Sequence, residues 1–161
     1  MAKPMPAADL SFFDTAAWQF DFVGEFSTSP DTVWAAFADN EGWARWFKNC
    51  KSCTSTSTPA DGLGSTRRID VNGLKVNERF IAWEPSKLWA FTVVDMNMAF
   101  ASKMAERSTF AALEGGGTRV MYRMAVDPTW WGRPLRGLMH SQATKAFSAS
   151  FATLESQLAA V

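Results

Sequence analysis

The sequence predicts an α+β domain in which a seven-stranded, curved antiparallel sheet wraps around one long C-terminal helix, with two short helices between the first two strands. Three observations predict it. From Pro134 to about Leu158, the apolar residues Leu135, Met139, Ala143, Phe147, Phe151, Leu154 and Leu158 recur at steps of three or four and form one stripe. Between Phe20 and Val126 almost everything reads instead as short strands joined by tight turns, so the stripe's burial partner is a sheet. A helix of about 25 residues is on the order of 37 Å long, and a twisted sheet must curve to cover it. Such a sheet leaves unfilled space beside the helix, where a ligand pocket is expected.

The elements follow in order. Residues 1–18 carry Ala and Pro without periodicity and read as an arm, with Phe12, Phe13 and Trp18 available for local packing. Residues 19–161 read as a single domain. The first strand, Phe20 to Ser27, places Phe20, Phe22, Gly24 and Phe26 on one face. Ser29 then caps a helix that has Pro30 at its first position, Asp31 at its positive end and Val33, Trp34 and Phe37 on its apolar side. Asp39-Asn40-Glu41-Gly42 breaks it, and Trp43, Trp46 and Phe47 suggest a second helical turn. Strands are predicted near Cys50–Thr58, Ser65–Val71, Leu74–Trp83, Leu88–Val94, Lys103–Leu113 and Arg119–Val126. Asn72-Gly73 favours a two-residue type I′ turn, and Glu84-Pro85-Ser86-Lys87 and Gly115-Gly116-Gly117 connect later hairpins, so the sheet is antiparallel. Asp127-Pro128 ends the last strand before the long helix.

Composition narrows the function. Sixteen basic and sixteen acidic residues cancel, leaving no global field to attract nucleic acid or an anionic membrane. The start lacks a secretory apolar run, and no segment approaches the roughly 18 apolar residues of a membrane span, so a cytoplasmic protein is expected. Cys50 and Cys53 form a C-x-x-C that follows a helix rather than opening one. In an extended segment they lie roughly 10 Å apart on opposite faces, beyond disulfide reach. A zinc site needs further ligands, and the chain offers only His140. An inert pair, no metal and no cofactor are expected. His140 reads as a surface or edge residue without a nucleophile to serve.

Local patterns carry a resemblance. Ser29-Pro30-Asp31-Thr32-Val33-Trp34, then Asp39, then Trp43 and Trp46, resembles the opening of the SRPBCC superfamily, which includes START domains, birch-pollen-allergen-like proteins and polyketide cyclase/dehydrases. Gly62-Leu63-Gly64, Asn77-Glu78-Arg79, Trp83-Glu84-Pro85 and Gly117-Thr118-Arg119-Val120 fall where that superfamily has similar segments. The match covers roughly residues 20–158. It implies the helix-grip fold, and it places at Glu78 an acidic residue that relatives use to meet a ligand through water.

The Asn72-Gly73 hairpin fixes a register: Val71 opposite Leu74, Ile69 opposite Val76 and Arg67 opposite Glu78, all on one face. Arg67 and Glu78 become an ion pair on the concave side or, alternatively, at a solvated sheet end. Arg107 could join them. Phe80, Phe91, Val93, Val120, Tyr122 and Met124 are further inward candidates, with Met139, Phe147 and Phe151 from the helix. The Tyr122 hydroxyl could anchor a ligand or bond a neighbouring strand. Met96, Met98, Phe100 and Met104 cluster as an adaptable lip or as plain filling. Trp130, Trp131, Arg133 and Arg136 have membrane-interface character, although two Trp rings covering the barrel end is the simpler reading.

Three functions stay open. The first is binding or transport of a small hydrophobic or amphipathic molecule, oriented by Glu78, Arg67 and Tyr122. The second, implied by the resemblance, is a polyketide cyclase/dehydratase-like enzyme with Glu78 and Arg67 as catalytic groups, although an Arg beside a general base lowers its pKa. The third is a protein-interaction role through an exposed apolar patch, like chaperone-ATPase activators.

Overall fold

The computed structural model describes residues 2–161. Its elements run β1 (Lys3–Pro4), α1 (Phe12–Thr15), β2 (Trp18–Phe26), α2 (Pro30–Ala38), α3 (Trp43–Trp46), β3 (Cys50–Ser55), β4 (Thr66–Val71), β5 (Leu74–Glu84), β6 (Leu88–Met96), β7 (Ala101–Ala112), β8 (Thr118–Pro128) and α4 (Arg136–Ala159), the last entered through a 3-10 turn at Arg133–Leu135. The sheet order is β2-β8-β7-β6-β5-β4-β3, with antiparallel neighbours throughout. This is the expected curved sheet around a terminal helix, with β1 as an additional short strand paired to the end of β6.

Local chemistry explains the main elements. Trp18, Phe20, Phe22 and Phe26 are buried while Gln19, Asp21, Val23 and Glu25 are exposed, so β2 presents one strict apolar face to α4. Gly24 lies on that face because a Cβ there would stand 2.7 Å from Cδ2 of Phe151. Ser29 Oγ accepts from the Thr32 amide and Pro30 occupies the first turn of α2. Asn72 and Gly73 both have positive φ, at 52° and 88°, as a type I′ turn requires. The resulting register pairs Val71 with Leu74, Ile69 with Val76 and Arg67 with Glu78.

Helix α4 is fixed along its C-terminal half. Phe147 stacks on Phe22 with ring centroids 4.5 Å apart, Phe151 meets Phe26 edge-on at 5.8 Å, and Leu154 is buried. Ser150 Oγ accepts from the Lys48 amide, Glu155 accepts from the Ser27 amide, and Gln157 Nε2 donates to the Arg45 carbonyl. The stripe is uneven: Met139 and Ala143 are only half-buried and Leu135 is exposed, because the N-terminal half stands over a hollow instead of a packed sheet face.

One expectation is corrected. The cysteines lie on one face, since a bulge at Lys51 resets the alternation so that Cys50 pairs with Val71 and Cys53 with Ile69. Both thiols are free and buried, and burial pushes Cys53 up to about 12, which keeps it protonated and unreactive. The N-terminal arm, whose order the sequence left open, crosses the convex side of the sheet. Ala8, Phe12, Phe13 and Ala16 pack there on a floor of Ala82, Ala90, Ala105 and Ala125, and Thr92 Oγ1 accepts from the Ala8 amide. Four small side chains on neighbouring strands provide a flat surface on which two Phe rings can lie.

Candidate functional site

Between the concave sheet face and the N-terminal half of α4 lies a cavity of about 670 Å³. Its sheet wall consists of Ile69 and Val71 from β4, Val76 from β5, Phe91, Val93 and Met96 from β6, Met104 from β7 and Met124 from β8. Met139, Ala143, Ala146 and Phe147 close it from the helix. At the mouth Met98 and Leu138 line the cavity and are also exposed, while Lys48 and Lys145 contribute charged groups to the same lining.

Polar groups converge at the inner end. Arg67 Nε donates to Glu78 Oε2 at 2.6 Å, with side chains only 1% and 5% exposed. The Arg67 guanidinium also donates to Asn40 Oδ1 at 3.2 Å, and Asn40 is held in turn by Ser55 Oγ, to which its amide donates at 2.8 Å. Its Cζ lies 4.5 Å from the Trp43 ring centroid, 5.2 Å from those of Trp89 and Phe91, and 5.3 Å from that of Phe80. Planar, weakly hydrated guanidinium suits such an aromatic box better than ammonium would. Burial raises the Glu78 pKa, and the Arg67 charge beside it opposes that rise without cancelling it.

A second carboxyl, Glu106 on β7, faces the same space. It accepts a hydrogen bond from the Tyr122 hydroxyl and makes no ion pair among the described residues. Burial first, and the neighbouring Glu78 charge second, push Glu106 up to about 8. The Tyr122 phenol is raised well above its ordinary value by burial and by Glu106. The dyad therefore combines a mostly protonated carboxyl with a phenol at neutral pH, two groups that can each give or accept a hydrogen bond.

The structure brings together Arg67, Ile69, Val76, Glu78, Phe91, Val93, Tyr122, Met124, Met139 and Phe147 as cavity lining. Met96, Met98, Phe100 and Met104 line it as well. Phe80 and Phe151 lie in the core behind the wall. Arg107 is a correction: it sits on the convex face, its guanidinium 5.0 Å from the Phe13 ring of the arm, and Glu106 one residue earlier points inward instead. The even-numbered run Met104, Glu106, Ser108, Phe110 was the available signal for that facing. Asn40, the third partner of the ion pair, lies in the break between α2 and α3, where its role had no sequence signature.

His140 is exposed, and its ring lies tilted against Phe20 with centroids 4.7 Å apart. Trp130 is 79% exposed and Trp131 47% exposed. Among the described residues no cluster of His, Cys, Asp and Glu is placed to hold a metal ion, and no helix is long and apolar enough to cross a membrane.

With the geometry in place, comparisons give it a context. The sequence profile of the family described as polyketide cyclase / dehydrase and lipid transport matches residues 18–159. An uncharacterised protein of Mycobacterium tuberculosis is 31% identical over 132 residues, covering 81% of this chain and 78% of that one. Among solved structures, a START superfamily protein from Mycobacterium smegmatis superposes with TM-score 0.71 at 14% identity, covering 87% of this chain and 96% of the other. The Zhui aromatase/cyclase of Streptomyces sp. R1128 gives 0.69 at 14% identity, covering 88% and 93%. Ara h 8.0201 gives 0.73 at 13% identity, covering 89% and 99%. At these identities the structural likenesses establish the shared helix-grip fold.

Proposed function

The chain belongs to the polyketide cyclase/dehydrase and lipid transport family, and from that premise we propose that it binds or carries a small hydrophobic or amphipathic molecule in the cavity between sheet and helix. One observation carries the reading: about 670 Å³ of largely apolar space beneath the N-terminal half of α4. That volume falls within the roughly 300–1,000 Å³ usual for small-molecule sites. Apolar walls draw the ligand's hydrocarbon from water at about 25 cal/mol per Å². Methionines at the mouth adapt to varied ligand shapes because their unbranched side chains repack at low cost. The Arg67–Glu78 pair lines the inner end and gives it a fixed polar character. Extraction of the purified protein with organic solvent, followed by mass spectrometry, should release an apolar molecule in stoichiometric amount. A chain that carries none and takes up none from a supplied pool of apolar compounds overturns the reading.

A second reading, a cyclase or dehydratase acting in the same cavity, is favoured by the Glu106–Tyr122 dyad and by the likeness to an aromatase/cyclase. General acid chemistry at neutral pH needs a carboxyl with a raised pKa, which Glu106 has and a fully ion-paired carboxylate would not. In that reading Glu106 gives its proton to a substrate β-hydroxyl, which leaves as water, and the resulting carboxylate takes the α-proton as the carbon–carbon double bond forms, restoring the acid, while Tyr122 holds Glu106 in place. Turnover of a poly-β-ketone that disappears in Glu106→Gln supports it, and unchanged turnover removes Glu106 from the chemistry.

A further inference from the structure

The cavity's polar end is asymmetric. Arg67 has its charge met by Glu78 at 2.6 Å and gives a further hydrogen bond to Asn40, so the one cation at the inner end is already paired with a carboxylate. Glu106 is engaged on one side only: Oε2 accepts from Tyr122, and its other oxygen has no hydrogen-bond partner among the described residues. Cationic groups in the lining come otherwise from Lys48 and Lys145. A ligand that fills the hollow with hydrocarbon thus meets, at its inner end, the free oxygen of Glu106 and the Tyr122 phenol beside the paired Arg67 and Glu78.

We propose that Glu106 and Tyr122 set the ligand class of this cavity, seating the neutral oxygen of an amphiphile, a hydroxyl or carbonyl group, and disfavouring a carboxylate of the same chain length. The inference rests on the binding reading above. A hydroxyl entering this end loses its water and regains a donor and an acceptor, which offsets its desolvation. A carboxylate loses far more hydration on entering an apolar space, meets at the inner end a cation whose charge Glu78 already balances, and faces the Glu78 carboxylate across the same chamber. The raised pKa of Glu106 agrees with this, since a protonated carboxyl can donate to a carbonyl and still accept from a hydroxyl. Tyr122 holds the Glu106 side chain in place, and the β7–β8 pairing that sets Ser108 opposite Tyr122 and Glu106 opposite Met124 fixes their relative height.

The test is competitive displacement of the neutral fluorophore N-phenyl-1-naphthylamine by dodecanol and by dodecanoate near neutral pH. The expected result is an alcohol bound at least about tenfold more tightly than the acid, a difference of about 1.4 kcal/mol. Glu106→Leu should lower alcohol affinity about tenfold relative to fluorophore affinity, and Glu106→Gln, which keeps a donor and an acceptor, should preserve that ratio. Equal affinity for alcohol and acid overturns the proposal, as does acid binding that depends on Lys48 or Lys145, and so does alcohol affinity untouched by Glu106→Leu. A protein that binds the fluorophore but does not discriminate defeats this inference alone. One that binds neither fluorophore nor alcohol defeats the binding reading, and this inference with it.

Discussion

Arg67 and Glu78 face each other across the β4–β5 hairpin with Nε and Oε2 2.6 Å apart, both side chains almost wholly removed from solvent. Two desolvated charges give little net stability against well-packed apolar replacements, but removal of one strands the other. Arg67→Met should therefore cost about 3–5 kcal/mol, whereas Arg67→Met combined with Glu78→Leu should cost much less than that single change. Urea denaturation of the single and double variants measures both. A single variant no less stable than the double one contradicts the assignment of the pair as a mutually dependent unit.

Glu106 makes stability depend on pH in an unusual direction. Its pKa rises from 4.5 in the open chain to about 8 in the fold, so the folded protein holds a proton that the unfolded chain releases. Stability is then greatest below the unfolded value, falls as pH rises between the two, and levels off above the folded one. The full shift corresponds to an upper limit on the order of 5 kcal/mol. Melting temperatures measured across that window should decline in the native chain and decline less in Glu106→Gln. Parallel profiles would show that Glu106 ionises in the fold as it does in water.

The hairpin register was legible because a two-residue type I′ turn admits one pairing, and Asn72-Gly73 specifies that turn. The facing of β7 was harder to read. Alternation reveals a strand's inner face when its outer face is polar. Here the arm covers the outer face, so Ala105 is as buried as Met104 and the pattern blurs. For that reason Arg107, which lies against Phe13, was expected on the face that Glu106 occupies. The cysteines follow a similar logic, because a one-residue bulge is invisible to a period of two. Asn40 acts through tertiary contact alone.

The arm should behave as an integral part of the domain. Phe13 is fully buried against the alanine floor, so Phe13→Ala should cost about 3–5 kcal/mol in urea denaturation. A loss below about 1 kcal/mol would mean that the arm rests on the sheet without contributing to its stability.

The account depends most on the hollow under α4 being the place where an apolar ligand goes. Ala143 is half-buried and lines that hollow on the helix, so Ala143→Trp should fill it without disturbing the packed C-terminal half at Phe147, Phe151 and Leu154. The direct measurement is a fluorescence titration with N-phenyl-1-naphthylamine on the native chain and on Ala143→Trp, with circular dichroism and melting as controls for folding. The account predicts saturable, one-to-one binding in the native chain and its loss in the folded variant. Binding of equal strength in both proteins would contradict it.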